Sequence, residues 1–200
     1  MSPDEWLPGV KTVISFFLPY TDKVKMTNSK DINWPSNEWL HGRVEGQAFV
    51  VALSNHINNL LQSAGYDSLV PILDPRFKVG NDKSRYTSNW SERHIAFACG
   101  LGTFGLSRGL ITDKGKCGRF GSILTNLDLP ADGRRYSETY EYCTMCGLCV
   151  SQCPVNDLSL EEGKKFIACS TFLDEVARIE KPRYGCGKCQ VTVPCESARP

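Results

Sequence analysis

Ten of the 200 residues are cysteine, and their spacing is the first chemistry the chain offers. None falls in the first 98 residues, Cys99 and Cys117 stand alone, and the other eight lie between Cys143 and Cys195. The run Cys143-Thr-Met-Cys146-Gly-Leu-Cys149-Val-Ser-Gln-Cys153-Pro154 is C-x2-C-x2-C-x3-C-P without deviation. In such a run three thiolates wrap one face of an iron–sulfur cubane, while the fourth turns away to ligate a neighbouring cluster. The motif therefore predicts two [4Fe–4S] clusters. Cys169, Cys186, Cys189 and Cys195 are available to complete them, and the crossover assigns Cys143, Cys146, Cys149 and Cys195 to one cluster. Cys153, Cys169, Cys186 and Cys189 are left for the other.

Competing readings of these cysteines are weaker. Cys186-x2-Cys189 alone would suit a zinc knuckle, but zinc normally takes two well-separated C-x2-C pairs rather than a third cysteine at the same short spacing followed by Cys-Pro. C-x-x-C-H, the haem-attachment signature, is absent. Residues 1–5 lack a basic n-region and an apolar h-region, so the expectation is a reducing cytoplasmic setting in which dense cysteine means metal or redox chemistry rather than disulfides. Cys99 and Cys117 fit no ligand spacing and read as small buried hydrophobes. His41, His56 and His94 are scattered and read as structural.

Gly100-Leu-Gly102-Thr-Phe-Gly105 matches G-x-G-x-x-G letter for letter. A dinucleotide loop needs a strand before it and a helix after it. Here a helical pattern precedes and a strand-like one follows, so the glycines point to tight turns or a close backbone approach.

The elements that must position the cysteines form an α+β pattern. Val10 to Leu18, between Pro8-Gly9 and Pro19, reads as a buried strand. Val50, Leu53, Ile57, Leu60, Leu61 and Ala64 recur at helical spacing, and Gly65 is the stop. Leu69 to Leu73 reads as a second strand. Asn89 with Glu92 reads as a capping box opening a helix whose apolar face includes Ile95, Ala96 and Cys99. Leu110 to Thr112 and Phe120 to Thr125 are expected to form a hairpin. Ser159 with Glu162 reads as a second capping box, for a helix that presents Phe166, Cys169, Leu173 and Val176 on one face. The polar stretch 129–135 marks an expected boundary between domains 1–130 and 131–200.

Composition narrows the function classes. With 41% hydrophobic and 22% charged residues the chain is globular, and at this length it buries roughly 70% of its unfolded surface. The balance of 23 basic against 22 acidic residues argues against a nucleic-acid partner, and no apolar run reaches the length of a membrane span.

Taken together, Pro8 to Ser15 with Leu18-Pro19-Tyr20, then Ala98-Cys99-Gly100-Leu101-Gly102, then Gly121 to Thr125 with Leu127 and Leu129-Pro130, then the cysteine set, resemble the epoxyqueuosine reductase family in the same order. Reductive dehalogenases share the plan more distantly. The resemblance extends to the lone Cys169, which in the family completes the second cluster. It implies a nitroreductase-related α/β domain that binds cobalamin base-off, followed by a small ferredoxin-like domain that feeds it electrons. By position it places Leu110 and the Gly121 region against the corrinoid, with Leu158 approaching its other side. Three departures stand out: Tyr86 occupies the place of the family's acidic proton donor, the family's first helices have no counterpart here, and neither do its C-terminal helical repeats.

Two functions follow. In the first, an oxidoreductase, two [4Fe–4S] clusters pass single electrons to cobalamin for reductive cleavage of a small-molecule substrate. In the second, a ferredoxin-like electron-transfer protein docks and reduces a partner, such as a corrinoid protein, without substrate chemistry. Both expect a donor of ferredoxin or flavodoxin type. A flavin in the first domain is a minor third reading, by analogy with nitroreductases.

Overall fold

The computed structural model describes all residues, 1–200. After a short helix α1 (Pro3–Trp6), β1 (Thr12–Pro19) runs along the edge of a three-stranded antiparallel sheet of order β1-β5-β2. The remaining elements of the first part are α2 (Asp22–Ser29), α3 (Asn37–Ser63), β2 (Ser68–Leu69), α4 (Glu92–Ala98), β3 (Gly102–Phe104), β4 (Leu110–Thr112) and β5 (Gly118–Thr125). No helix is long and apolar enough to cross a membrane.

β5 is the central strand, paired with β1 from Thr12↔Thr125 to Pro19↔Gly118 and with β2 at its other edge. Its last six residues are all buried, and alternate side chains serve opposite faces. Phe120 packs with Ala96 of α4, Leu124 meets Trp6 and Trp90, and Ser122 Oγ accepts from Trp90 Nε1 at 3.0 Å. On the other face stands Gly121, where a Cβ would meet Phe16 at 2.5 Å and Val50 of α3 at 2.8 Å. A glycine is what lets α3 lie this close to the sheet.

Helix α3 is longer than the apolar periodicity implies. Ser36 Oγ accepts from the Trp39 amide to start it, and Gly65 at φ +86° follows its C-cap Ala64, as expected for a left-handed stop. Leu69 to Leu73 is a two-residue strand followed by a 3-10 turn at Pro71–Leu73 instead of a full strand. Asn89 does not cap α4: its side chain ties Lys78 N and Arg76 O, and Ser91 is the N-cap.

The expected hairpin does not form. β4 pairs with β3, while β5 pairs with β1 and β2. The glycine motif explains the difference, because a Cβ on Gly102 would lie 1.9 Å from the Ile111 carbonyl oxygen, so only glycine permits the β3–β4 pairing. Gly100-x-Gly102-x-x-Gly105 is thus the start of a hairpin and not a phosphate loop.

Residues 128–135 are exposed and carry no helix or strand. Beyond them come α5 (Leu148–Ser151), the small hairpin β6 (Leu158–Ser159) and β7 (Gly163–Lys164), α6 (Ile167–Ile179) and a 3-10 turn at Lys188–Gln190. This part is laced back into the first. Lys116 N donates to Cys195 O at 3.0 Å, Tyr142 N to Thr103 Oγ1 at 2.8 Å, and Phe104 N to Thr139 O at 2.8 Å. Buried Lys188 reaches across to the Asn28 carbonyl at 2.6 Å.

Candidate redox site

The eight clustered cysteines gather as two groups of four around two cavities. Cys143, Cys146, Cys149 and Cys195 line the first, a space walled by Leu106, Ile111 and Val193. Cys153, Cys169, Cys186 and Cys189 line part of the second, which opens into a cleft of about 1020 Å³. The local backbone accounts for the first group: Met145 and Gly147 adopt positive φ, which coils the loop around the cavity before α5 delivers Cys149. Cys195 arrives on the tail that Lys116 holds by its carbonyl.

For the second group, Cys169 sits in the first turn of α6 and Cys186 and Cys189 flank Gly187. That glycine has φ +69°, and a Cβ there would fall 1.9 Å from the Trp39 indole. The second capping box behaves differently from its expectation. Glu162 N does donate to Ser159 Oγ, but within the β6–β7 turn. Helix α6 begins at Ile167, and the Asp157 carboxylate receives the amides of Phe166 at 2.7 Å and Ala168 at 3.2 Å. Asp157 therefore does the capping that sequence assigned to Ser159.

The donor chemistry suits iron–sulfur ligation. Backbone amides point at two of the sulfurs, Leu106 N to Cys143 Sγ at 3.4 Å and Asp157 N to Cys153 Sγ at 3.3 Å. Burial raises the Cys149 thiol to about 11 and the Cys186 thiol to about 12, so as free thiols both stay protonated at neutral pH. A bound metal reverses that, because a coordinated thiol is deprotonated outright. Four thiols around each cavity, with backbone amides on two of the sulfurs, are the donor set that a cubane takes.

Two lysines accompany these sulfurs, Lys116 buried and Lys164 half-buried, and nothing in their local sequence announces them. Lys116 donates to Ser107 Oγ at 3.2 Å, and although burial opposes its charge, the sulfurs of Cys195, Cys189 and Cys149 raise it overall. Because those sulfurs come from both groups, Lys116 is a fixed cation between them. Lys164 plays the same part toward Cys189 and Cys169.

The other singled-out residues divide. Leu158 lines the cleft, but Leu110 is 1% exposed in a core with Ala96, Phe104 and Phe120, and Gly121 is pressed against Phe16 and Val50. Tyr86 stands at the cleft, 48% exposed and edge-on to Phe166. Cys117 is buried beside Trp39 and Val191 with its thiol raised by burial, and Cys99 is half-buried with its thiol bonded to Val13 O at 3.7 Å. Neither lines a cysteine cavity. His41 and His56 are exposed, and His94 stacks near Phe104.

Comparison with known proteins matches the 4Fe-4S binding domain family to residues 138–159. No curated protein matches the chain. Among solved structures, epoxyqueuosine reductase bound to a tRNA-Tyr epoxyqueuosine-modified stem loop is similar at TM-score 0.59 and 18% identity, over 98% of this chain and 51% of that one. The enzyme from Bacillus subtilis gives 0.58 and 19% over 100% and 52%, and that from Streptococcus thermophilus 0.57 and 19% over 99% and 53%. This chain thus spans about half the length of the structures it resembles. One of them holds RNA, and the second cavity here gathers cations that a net charge of +1 conceals, so the whole-chain balance is no argument against a nucleic-acid partner. The chain is similar in fold to epoxyqueuosine reductase, and the 4Fe-4S binding domain model matches its cysteine run.

Proposed function

We propose that the protein is a two-cluster redox protein that carries single electrons from a donor protein to an acceptor in the cleft beside the second cysteine group. The observation that supports this most directly is the sorting of eight cysteines into the same two fours that the C-x2-C-x2-C-x3-C-P crossover requires. A [4Fe–4S] cluster at each group supplies one-electron chemistry. The chain's own part is to hold the two groups adjacent, to donate N–H groups to Cys143 and Cys153, and to place Lys116 where added negative charge on either side is stabilised.

The first group is the face for the donor. Cys146 is exposed, and Met145, Leu148 and Leu160 nearby are each about half exposed. An apolar rim of this kind suits the small, transient interface of a ferredoxin- or flavodoxin-type donor. The second group faces the cleft, which is where reduction takes place.

Anaerobic purification with metal and sulfide analysis tests the reading. About eight irons and eight sulfides per chain are expected, and a protein containing zinc and no iron would end it.

A cobalamin-dependent reductase is the second reading, favoured by the fold likeness over essentially the whole chain. Its test is spectroscopic: a base-off Co(II) signal on adding cobalamin supports it. An unchanged spectrum favours the electron-transfer protein.

A further inference from the structure

The cleft beside the second cysteine group is charged in one sense only. Arg43, Arg93, Arg108, Arg119 and Lys164 line it, and no Asp or Glu does. An oxidised cubane with four thiolates carries a formal charge of about −2, so a cluster there leaves a surplus of roughly three positive charges. None of the five cations takes part in a salt bridge. Arg119 is held by Gln47 Oε1 at 2.5 Å and 2.9 Å, Arg93 donates to the Arg108 carbonyl at 2.8 Å, and Arg43 lies over the Tyr184 ring with its buried Nε unpaired. Neutral partners aim these guanidinium groups without discharging them. Glu92 lies outside the cleft lining.

Such an arrangement is costly without a counter-charge, because like charges gathered in one cleft repel. A guanidinium fork matches phosphate geometry closely. A second cavity of about 920 Å³, lined by Phe97, Phe104 and Tyr140, shares Arg93, Arg108, Tyr86 and Phe166 with the cleft. The two are lobes of one groove, aromatic at one end and cationic beside the cysteines.

We propose that this groove binds a small organic phosphate, its phosphates held by Arg43, Arg93, Arg108 and Arg119 and its planar ring in the aromatic lobe. The charge surplus rests on the two-cluster reading, and the ligand class is new to it.

Titration calorimetry on the anaerobic, iron-loaded protein tests it with pyrophosphate and ADP as probes. Both bind, ADP the tighter, and either alters the electron paramagnetic resonance signal of the reduced protein. Arg43→Gln and Arg119→Gln each weaken binding roughly tenfold or more. Arg108→Gln, whose side chain is exposed, does so without disturbing the fold. Arg178→Gln, exposed on α6 away from the groove, changes nothing. Absence of binding by both probes, or equal weakening by Arg178→Gln, overturns the assignment. So does an RNA stem loop that binds more tightly than ADP and depends on the same arginines. Iron and sulfide are measured on the same sample, so failure of the two-cluster reading appears as low metal whatever the anion does.

Discussion

The two cysteine groups carry the same four thiols in opposite surroundings. The first is walled by Leu106, Ile111 and Val193, with Lys116 as the one cation in its wall, and Cys146 is its one fully exposed thiol. The second opens on a groove with five cations and no acid. Cluster potentials are set by charge, hydrogen bonds to sulfur and exposure rather than by the ligands, so equal sulfur sets in unequal fields become different redox centres. Each added cation favours the reduced, more negative state. The proposed second cluster is therefore the easier to reduce, and electrons received at the first group move toward the cleft.

The strongest test of this comparison removes one partner. Cys149→Ala should eliminate the first cluster and weaken the second, with iron falling from about eight to about four or fewer per chain by metal analysis. Complete loss of all iron would mean that the two centres are one cooperative unit. The next substitution acts on the opposite side. Gly187→Ala places a Cβ into the Trp39 indole at positive φ, at a cost of several kcal/mol. It should empty the second group while the first still gives its spectrum, and a full complement of iron in this variant would contradict the packing account.

A third test extends the comparison to the helix packed on the sheet, where burial outweighs the opposing pull of Arg119 on a carboxyl. Both Glu92 carboxyl oxygens lack hydrogen-bond partners, and burial raises the carboxyl to about 7. The folded state thus holds its proton more tightly than the unfolded chain does. Glu92 costs nothing while protonated in both states, and becomes destabilising as pH rises from the ordinary carboxylate range toward 7. Glu92→Gln should stabilise the protein above pH 7 by up to about 3 kcal/mol, with the gain shrinking toward pH 5. Denaturant unfolding across that range measures it, and a pH-independent gain would assign the effect to something other than the proton. The smallest effect is on potential. Lys164→Met should lower the second centre by an amount on the order of tens of millivolts and leave the first nearly unmoved, whereas Lys116→Met should lower both.

Much of the redox site was legible because its information is local. The spacing Cys143 to Cys153 describes a loop whose geometry depends on few residues outside it, and the partition into fours needed only the crossover rule. Gly65 and the apolar face of α3 were readable for the same reason. Ser159 and Glu162 illustrate where local reading stops: their hydrogen bond forms, but a hairpin intervenes and Asp157, two residues upstream of Ser159, caps the helix instead. The mispaired hairpin has a similar cause, since strand partners depend on which backbones can approach, and Gly102 against Ile111 settled that.

By itself, then, the sequence offered the donor chemistry: eight thiols, four of them at cubane spacing, after a long stretch almost free of cysteine. Tertiary structure decided the field those ligands occupy. Arg43 comes from α3, Arg93 from α4, Arg108 from the β3–β4 turn, Arg119 from β5 and Lys164 from β7, and only folding brings them to one cleft. Coulomb energy depends on distance in space. A chain with 23 basic and 22 acidic residues is neutral as a list, while its groove is not.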